Sequence, residues 1–299
     1  MLCRAMGQKW ALAQALRTLA LAVRGLGEYD RATALLEESL PLWRETGDKS
    51  GLAKSLTSLG VVARFQRDFA RARALLEQSL ALNRELGHRS EVADTLLNLG
   101  MVAKGEGDYE LATALYQECL ILSREIGYRL DVASALENLA NVSHYQGDDE
   151  RAGELAEEAK TLYMTLGVKP QIAVSLWTLG NVAFRRGDNE RAIALYRESL
   201  TLNRTLGNKA NIAECLEAVA RVVAATKRAE PAARLLGAAE ALREAIRAPV
   251  PREDRPAYDR SIGAVCDLLP EGAFAATWAE GRAMTLEQAI EYALTTEGG

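Results

Sequence analysis

Two histidines and four cysteines are spread over 299 residues, and neither type forms a cluster. Cys3, Cys119, Cys215 and Cys266 lie far apart with no C-x-x-C pair. That usage opposes a disulfide frame or a zinc site and fits a reducing compartment. A metal centre or a catalytic triad would need partners that His88 and His144 lack at suitable spacing. No phosphate-binding G-x-x-x-x-G-K-S/T occurs. Gly25, Gly27, Gly105 and Gly107 only mimic the start of a dinucleotide motif, and they follow no strand, so they read as turn glycines. No apolar run reaches the roughly 18 residues a membrane helix needs, and Arg4, Gln8 and Lys9 interrupt any signal-peptide core. A cationic excess is also missing: the net charge of −5 opposes bulk nucleic-acid binding, which needs a positive face to displace counterions. Aromatics make up only 6%, which suits helices packed through Leu and Ala. These absences lead us to expect a cytoplasmic, non-enzymatic chain with no cofactor and no metal.

What is present is a register of 40 residues. Leu16, Leu56, Leu96, Leu136, Leu176 and Leu216 form one column, and Ala32, Ala72, Ala112, Ala152, Ala192 and Ala232 another. Self-similarity at such a period marks a stacked array whose units bury their apolar faces only against neighbours. Within the second repeat, Leu52, Leu56, Leu59, Val62 and Ala63 recur at helical spacing. A break follows at Gln66–Asp68, and Phe69, Ala72, Leu75, Leu76 and Leu80 then resume it. Sister repeats mark the break with Gly27, Gly107, Gly147 and Gly187. Such a glycine can end a helix in the left-handed conformation, while the following acidic residue caps the next helix. A second column, Gly47, Gly87, Gly127, Gly167 and Gly207, ends the second helix. The small column Ala20, Gly60, Gly100, Ala140, Gly180 and Ala220 lets the paired helix come close. Nothing alternates with period two, which excludes a propeller.

These residues resemble the tetratricopeptide repeat: Leu59-Gly60, Ala72 and Leu76 fall on that family's helix-pair positions, over residues 10–247. The period is longer than the family's usual ~34 residues, and the closing Pro is replaced by a Leu/Ile-Gly turn. The resemblance implies an all-α, right-handed superhelix of six 40-residue helix pairs with a short C-terminal helical cap at 252–299. Residues 1–9 align with 41–49 and read as the end of a truncated preceding repeat. A degenerate cap or a fragment of a longer polypeptide could open in this way, and the lack of a polar capping helix favours the fragment. Helices are expected at 257–269, 271–282 and 285–295, the last started by Thr285. The stretches 235–246, 258–260 and 274–294 resemble the tail of large bacterial regulators that carry a signalling ATPase. That implies a regulatory arm, although neither the ATPase nor a DNA-binding module lies in this sequence.

In tetratricopeptide folds the first helix of each pair lines a concave groove. On that helix Asn98, Asn138, Asn141 and Asn181 cluster in the central repeats. An Asn amide donates and accepts together, which suits gripping a peptide backbone; the resemblance implies that use, and an exposed mid-helix Asn is the plainer alternative. Arg24, Arg64, Lys104 and His144 make a cationic stripe, which suits acidic groups but would also answer the helix dipole. Tyr145, Trp177 and Phe184 offer apolar contacts nearby, or inter-repeat packing. The expected partner is therefore a protein, peptide or small effector in the groove, possibly acidic, with no direct nucleic acid and no membrane. The alternative is a structural arm that self-associates into a homo-oligomer.

Overall fold

The computed structural model describes residues 2–250 and 255–296, and every regular element among them is a helix. Twelve long helices follow one another at the repeat spacing. These are α1 (Leu2–Gly25), α2 (Tyr29–Thr46), α3 (Lys49–Phe65), α4 (Phe69–Glu85), α5 (Arg89–Glu106) and α6 (Tyr109–Ile126), then α7 (Arg129–Gln146), α8 (Asp149–Leu166), α9 (Lys169–Arg185), α10 (Asn189–Leu206), α11 (Lys209–Ala225) and α12 (Ala229–Ile246). Three shorter ones close the chain: α13 (Arg255–Cys266), α14 (Glu271–Arg282) and α15 (Leu286–Thr295). The expected repeated helix pairs are thus observed. Two compact units result, Met1–Gln146 and Gly147–Gly299.

Turn chemistry works as the sequence implied. The carboxylates of Asp48, Asp68, Asp108, Asp148 and Asp188 each accept a backbone N–H three residues on, meeting donors that a helix start leaves open. The turn glycines hold φ between +67° and +88°. Where glycine is absent the turn keeps its shape: Arg67 and Lys227 both sit at φ 63°, a conformation that costs an L-residue about 1–2 kcal/mol. Lys227→Gly is therefore expected to raise stability by about 0.5–1 kcal/mol, after the extra unfolded-state freedom of glycine. Urea unfolding of the two proteins side by side would measure it, and a loss of stability would contradict the turn geometry.

Packing in the first unit follows size complementarity. Leu36, opposite Ala20, and Leu76, opposite Gly60, are fully buried, and a Cβ on Gly60 would lie 2.7 Å from Leu76. Gly100 makes room for the fully buried Tyr116. Small hydroxyls tie neighbouring helices together, α4 to α3 of its own pair and α2 to α3 of the next. Ser79 Oγ donates to the Ala53 carbonyl at 2.9 Å and Trp43 Nε1 to Ser55 Oγ at 2.9 Å. Residues 2–9 differ from expectation. They are continuous with α1, and no Gly7 turn separates them. Lys9 nevertheless keeps its repeat register, pairing with Glu45 as Lys49 pairs with Glu85.

The second unit stacks α9 and α10 against α11 and α12 and then seals α12 with the short helices. Thr285 starts α15 with a capping box shared with Gln288. Trp278 donates to Glu240 at 2.9 Å, and Arg204 bridges to Glu287 and Glu291, both at 2.7 Å. A polar terminal layer of this kind is what a repeat array needs at an open end.

Candidate functional site

In the first unit successive first helices touch one another, α1 on α3, α3 on α5 and α5 on α7. No comparable contact joins α2, α4 and α6. The first helices therefore line the tighter, inner side, and the polar residues on that side form the candidate site.

Arg24 and Arg64 lie in the last turns of α1 and α3, both half-buried. The Arg64 guanidinium covers the Phe65 ring at 4.6 Å, and that ring stacks on Tyr29 with centroids 5.5 Å apart. Neither arginine is within ion-pair distance of a carboxylate among the described residues, although the Arg24 charge acts on Asp94 through space, opposing the rise that the surrounding protein gives its pKa, and Arg64 Nε has no acceptor there. Burial, together with the charge of Arg24, holds the Arg64 pKa below its ordinary value. Several arginines elsewhere on this unit are paired, Arg71 with Glu37 at 2.5 Å, Arg84 with Glu118 at 2.7 Å, and Arg73 with Glu106, whereas Arg17, like Arg64, has an Nε without an acceptor among the described residues. Beside Arg64, the fully buried Tyr116 has an Oη without a partner among the described residues, and burial pushes its pKa up. Lys104 and His144 continue the column as half-buried residues with interactions of their own. Tyr145 next to His144 is half exposed and stacks on Tyr109 at 5.7 Å, with the planes 2° apart.

The asparagines depart from expectation. Asn98 and Asn138 are 9% and 8% exposed, not open amides. Each Nδ2 donates to the backbone carbonyl one turn earlier, Asp94 at 2.9 Å and Ser134 at 2.8 Å. Thr18 and Ser58 in the same column bond back in the same way. A side chain on this row points down its own helix, because the i−4 carbonyl is its nearest unsaturated acceptor. Only the Oδ1 atoms remain as acceptors for a ligand. Asn141 is half-buried and engaged.

An acidic side to this face was not anticipated. Asp94 reaches solvent, yet the protein around it raises its pKa, and Asp131 and Glu91 raise it further. Asp131 is raised by burial as well. Lys54 stands 3.8 Å from Glu91. No constant residue type fills this column (Gln14, Lys54, Asp94, Ser134), so periodicity gave no signal for it.

The other three candidates lie in the second unit. Asn181 is 4% exposed, and its Oδ1 is taken by Tyr196 Oη at 2.7 Å and Arg221 Nη2 at 2.6 Å. It cannot offer that oxygen to a peptide backbone. Phe184 lies under the Arg221 guanidinium, 4.8 Å from its centroid. Trp177 is half-buried against the core, with Nε1 lacking an acceptor among the described residues. Cys119 is fully buried and its pKa is pushed up to about 11, chiefly by burial, which marks a packing thiol. His88 is half-buried at the start of α5 without capping it. No group of three His, Cys, Asp or Glu side chains that could hold a metal occurs among the described residues. No helix there is long and apolar enough to cross a membrane.

A tetratricopeptide repeat family model matches residues 11–85, 91–165 and 171–245. No curated protein matches the chain. Among solved structures, the apo form of RapI shares 13% identity at a TM-score of 0.68, over 94% of this chain and 97% of that one. The Rap conjugation gene regulator of plasmid pLS20, solved with the Phr* peptide, shares 14% at 0.63 over 90% and 77%. BtubC from P. vanneervenii shares 19% at 0.57 over 84% and 94%. At these identities the likeness is one of fold.

Proposed function

The chain belongs to the tetratricopeptide repeat family, and we propose that the inner face of its first unit binds a protein or peptide bearing acidic side chains, as the sensing arm of a regulatory protein. One observation carries this reading: Arg24 and Arg64 are half-buried charges with no carboxylate in ion-pair contact among the described residues. Such charges cost free energy on folding that a ligand carboxylate would offset. Lys104, His144 and Tyr145 extend the same face, and the Oδ1 atoms of Asn98 and Asn138, with Asn141, would receive backbone N–H groups. Peptide capture by the pLS20 Rap regulator supports the peptide reading. The resemblance of residues 235–294 to the tails of signalling-ATPase regulators supports a place within a larger bacterial signalling protein.

The test uses a fluorescent extended peptide with Glu at alternate positions, and its Gln counterpart. We expect the Glu peptide to bind at least ~10-fold more tightly, with the gap closing as salt rises. Arg24→Gln with Arg64→Gln should remove that preference without loss of stability, because two repelling, desolvated charges disappear. Asn138→Ala should weaken both peptides about 2–10-fold independently of salt, the worth of one hydrogen bond. Equal binding of the two peptides would dismiss the acidic partner.

A second reading, self-association, has its own support. Leu12 and Leu19 on α1, and Leu26 in the turn that follows it, are 48%, 43% and 76% exposed, whereas Leu59, Leu99, Leu139 and Leu179, which repeat Leu19, are buried. A second copy could cover that stripe. Light scattering that shows a concentration-dependent dimer, abolished by Leu19→Glu, would favour it.

A further inference from the structure

Arg221 is the charged group of the second unit whose surroundings are least explained by folding. It projects from α11 onto α9 and α10. Nη2 donates to Asn181 Oδ1 at 2.6 Å and to Tyr196 Oη at 2.9 Å, and Tyr196 Oη in turn donates to Asn181 at 2.7 Å. The guanidinium lies over Phe184 at 4.8 Å. This base is rigid. Tyr196 is fully buried, its ring fills the space that Gly180 leaves (a Cβ there would meet it at 2.5 Å), and burial pushes its pKa up to about 12.

The remaining valences are unmet. Arg221 Nε is shielded from solvent without an acceptor among the described residues, and Nη1 has no partner there. Three other arginines of this unit are held by carboxylates. Arg243 is held at both ends by Glu217, at 2.5 and 2.9 Å. Arg282 bridges Glu240 and Glu244, and Arg234 pairs with Glu280 at 2.5 Å. Arg221, like Arg197 on the carbonyls of Ala293 and Thr296, is positioned by neutral acceptors, but unlike it keeps an Nε–H with no acceptor among the described residues. A guanidinium fixed before binding loses little further freedom when it forms a hydrogen bond, and its planar fork suits an oxyanion.

We propose that Arg221 is an anion receptor of the second unit, taking a carboxylate or phosphate oxygen on its Nη1 edge. Asn181 and Tyr196 act as positioning residues, and Phe184 is the platform. The inference stands on the second unit alone and survives if the acidic-peptide reading of the first unit fails.

The experiment follows the Arg221 Nε–H signal of the full chain by ¹H–¹⁵N correlation, titrated in separate arms with glutarate and with inorganic phosphate, and with chloride as the reference. A saturable shift in the glutarate arm identifies a carboxylate, and one in the phosphate arm a phosphate group; either supports the receptor. Arg221→Gln should leave the chain folded and remove saturable binding of both anions. Arg221→Lys, which keeps the charge but not the fork, should weaken binding at least ~10-fold. Asn181→Asp is the discriminating variant. It places a carboxylate on Nη2 and should abolish anion binding while raising the melting temperature. If Asn181→Asp binds anions as the parent does, or if both anions shift the signal no more than chloride, the assignment is overturned.

Discussion

Gly281→Ala is expected to undock α14 from α12 and to cost more stability than any other single methyl added to the chain. A Cβ on Gly281 would overlap the backbone carbonyl oxygen of Arg234, and one on Gly237 would meet the carbonyl oxygen of Trp278. The two helices thus cross backbone to backbone, each glycine facing the other's main chain. A side-chain clash can relax by rotation, but a backbone clash must move a helix. Overpacking typically costs about 1–3 kcal/mol and sometimes more, and the upper end is expected here. The better helix propensity of alanine, about 1 kcal/mol, offsets part of this. Stability in a repeat array is local, so the loss should appear as separation of the terminal layer before the repeats unfold. Trp278 reports it, because its indole N–H is held by Glu240 only while α14 is docked. Hydrogen exchange should show α14 and α15 opening early, with α9 and α10 still protected. Wild-type protection of α14 in Gly281→Ala would refute the close crossing.

That crossing was invisible in the sequence, where Gly237 and Gly281 are two helix-internal glycines with no periodic partner. The repeats were legible because one physical requirement recurs every 40 residues. Ala13, Ala53, Ala93, Ala133, Ala173 and Ala213 are all fully buried, and a column of one residue type reports one environment. The candidate face was only half legible. Helical spacing placed Arg24, Arg64, Asn98 and Asn138 on the first helices, but it carried no information on what each side chain bonds to. Asn98 turns to the carbonyl one turn earlier on its own helix, and Arg64 meets no carboxylate among the described residues. Asp94 and Arg221 were missed because their columns change type at each repeat. A position that varies so freely within a regular array is not set by the packing that every repeat shares. The progression Met101, Asn141, Asn181, Arg221 was the available signal. It becomes readable only once Asn181 is seen holding the arginine of the next repeat.

Gly100→Ala should destabilise the first unit by about 1–3 kcal/mol, and Tyr116→Leu should reverse most of that loss in the double variant. A Cβ on Gly100 would stand 2.6 Å from Tyr116 Cδ1 and 2.9 Å from Cζ. The ring is fully buried and has no free rotamer to take. Elsewhere in the same array alanine at this column faces leucine, as in Ala20 with Leu36 and Ala220 with Leu236, so the double variant copies a pair the fold already accommodates. Tyr116→Leu also removes a buried hydroxyl that has no partner among the described residues, and such a group costs about 1–3 kcal/mol to leave unsatisfied. The coupling between the two changes should therefore be favourable and within the ~0.5–3 kcal/mol seen for touching residues. Urea unfolding of all four proteins measures it, and simple additivity would show that the ring and the glycine do not define one another. The same set separates packing from binding. Arg24 and Arg64 are untouched, so the stable double variant should keep the preference for the Glu peptide. If the preference is lost in that variant, the buried Tyr116 ring acts on binding through its neighbour Arg64.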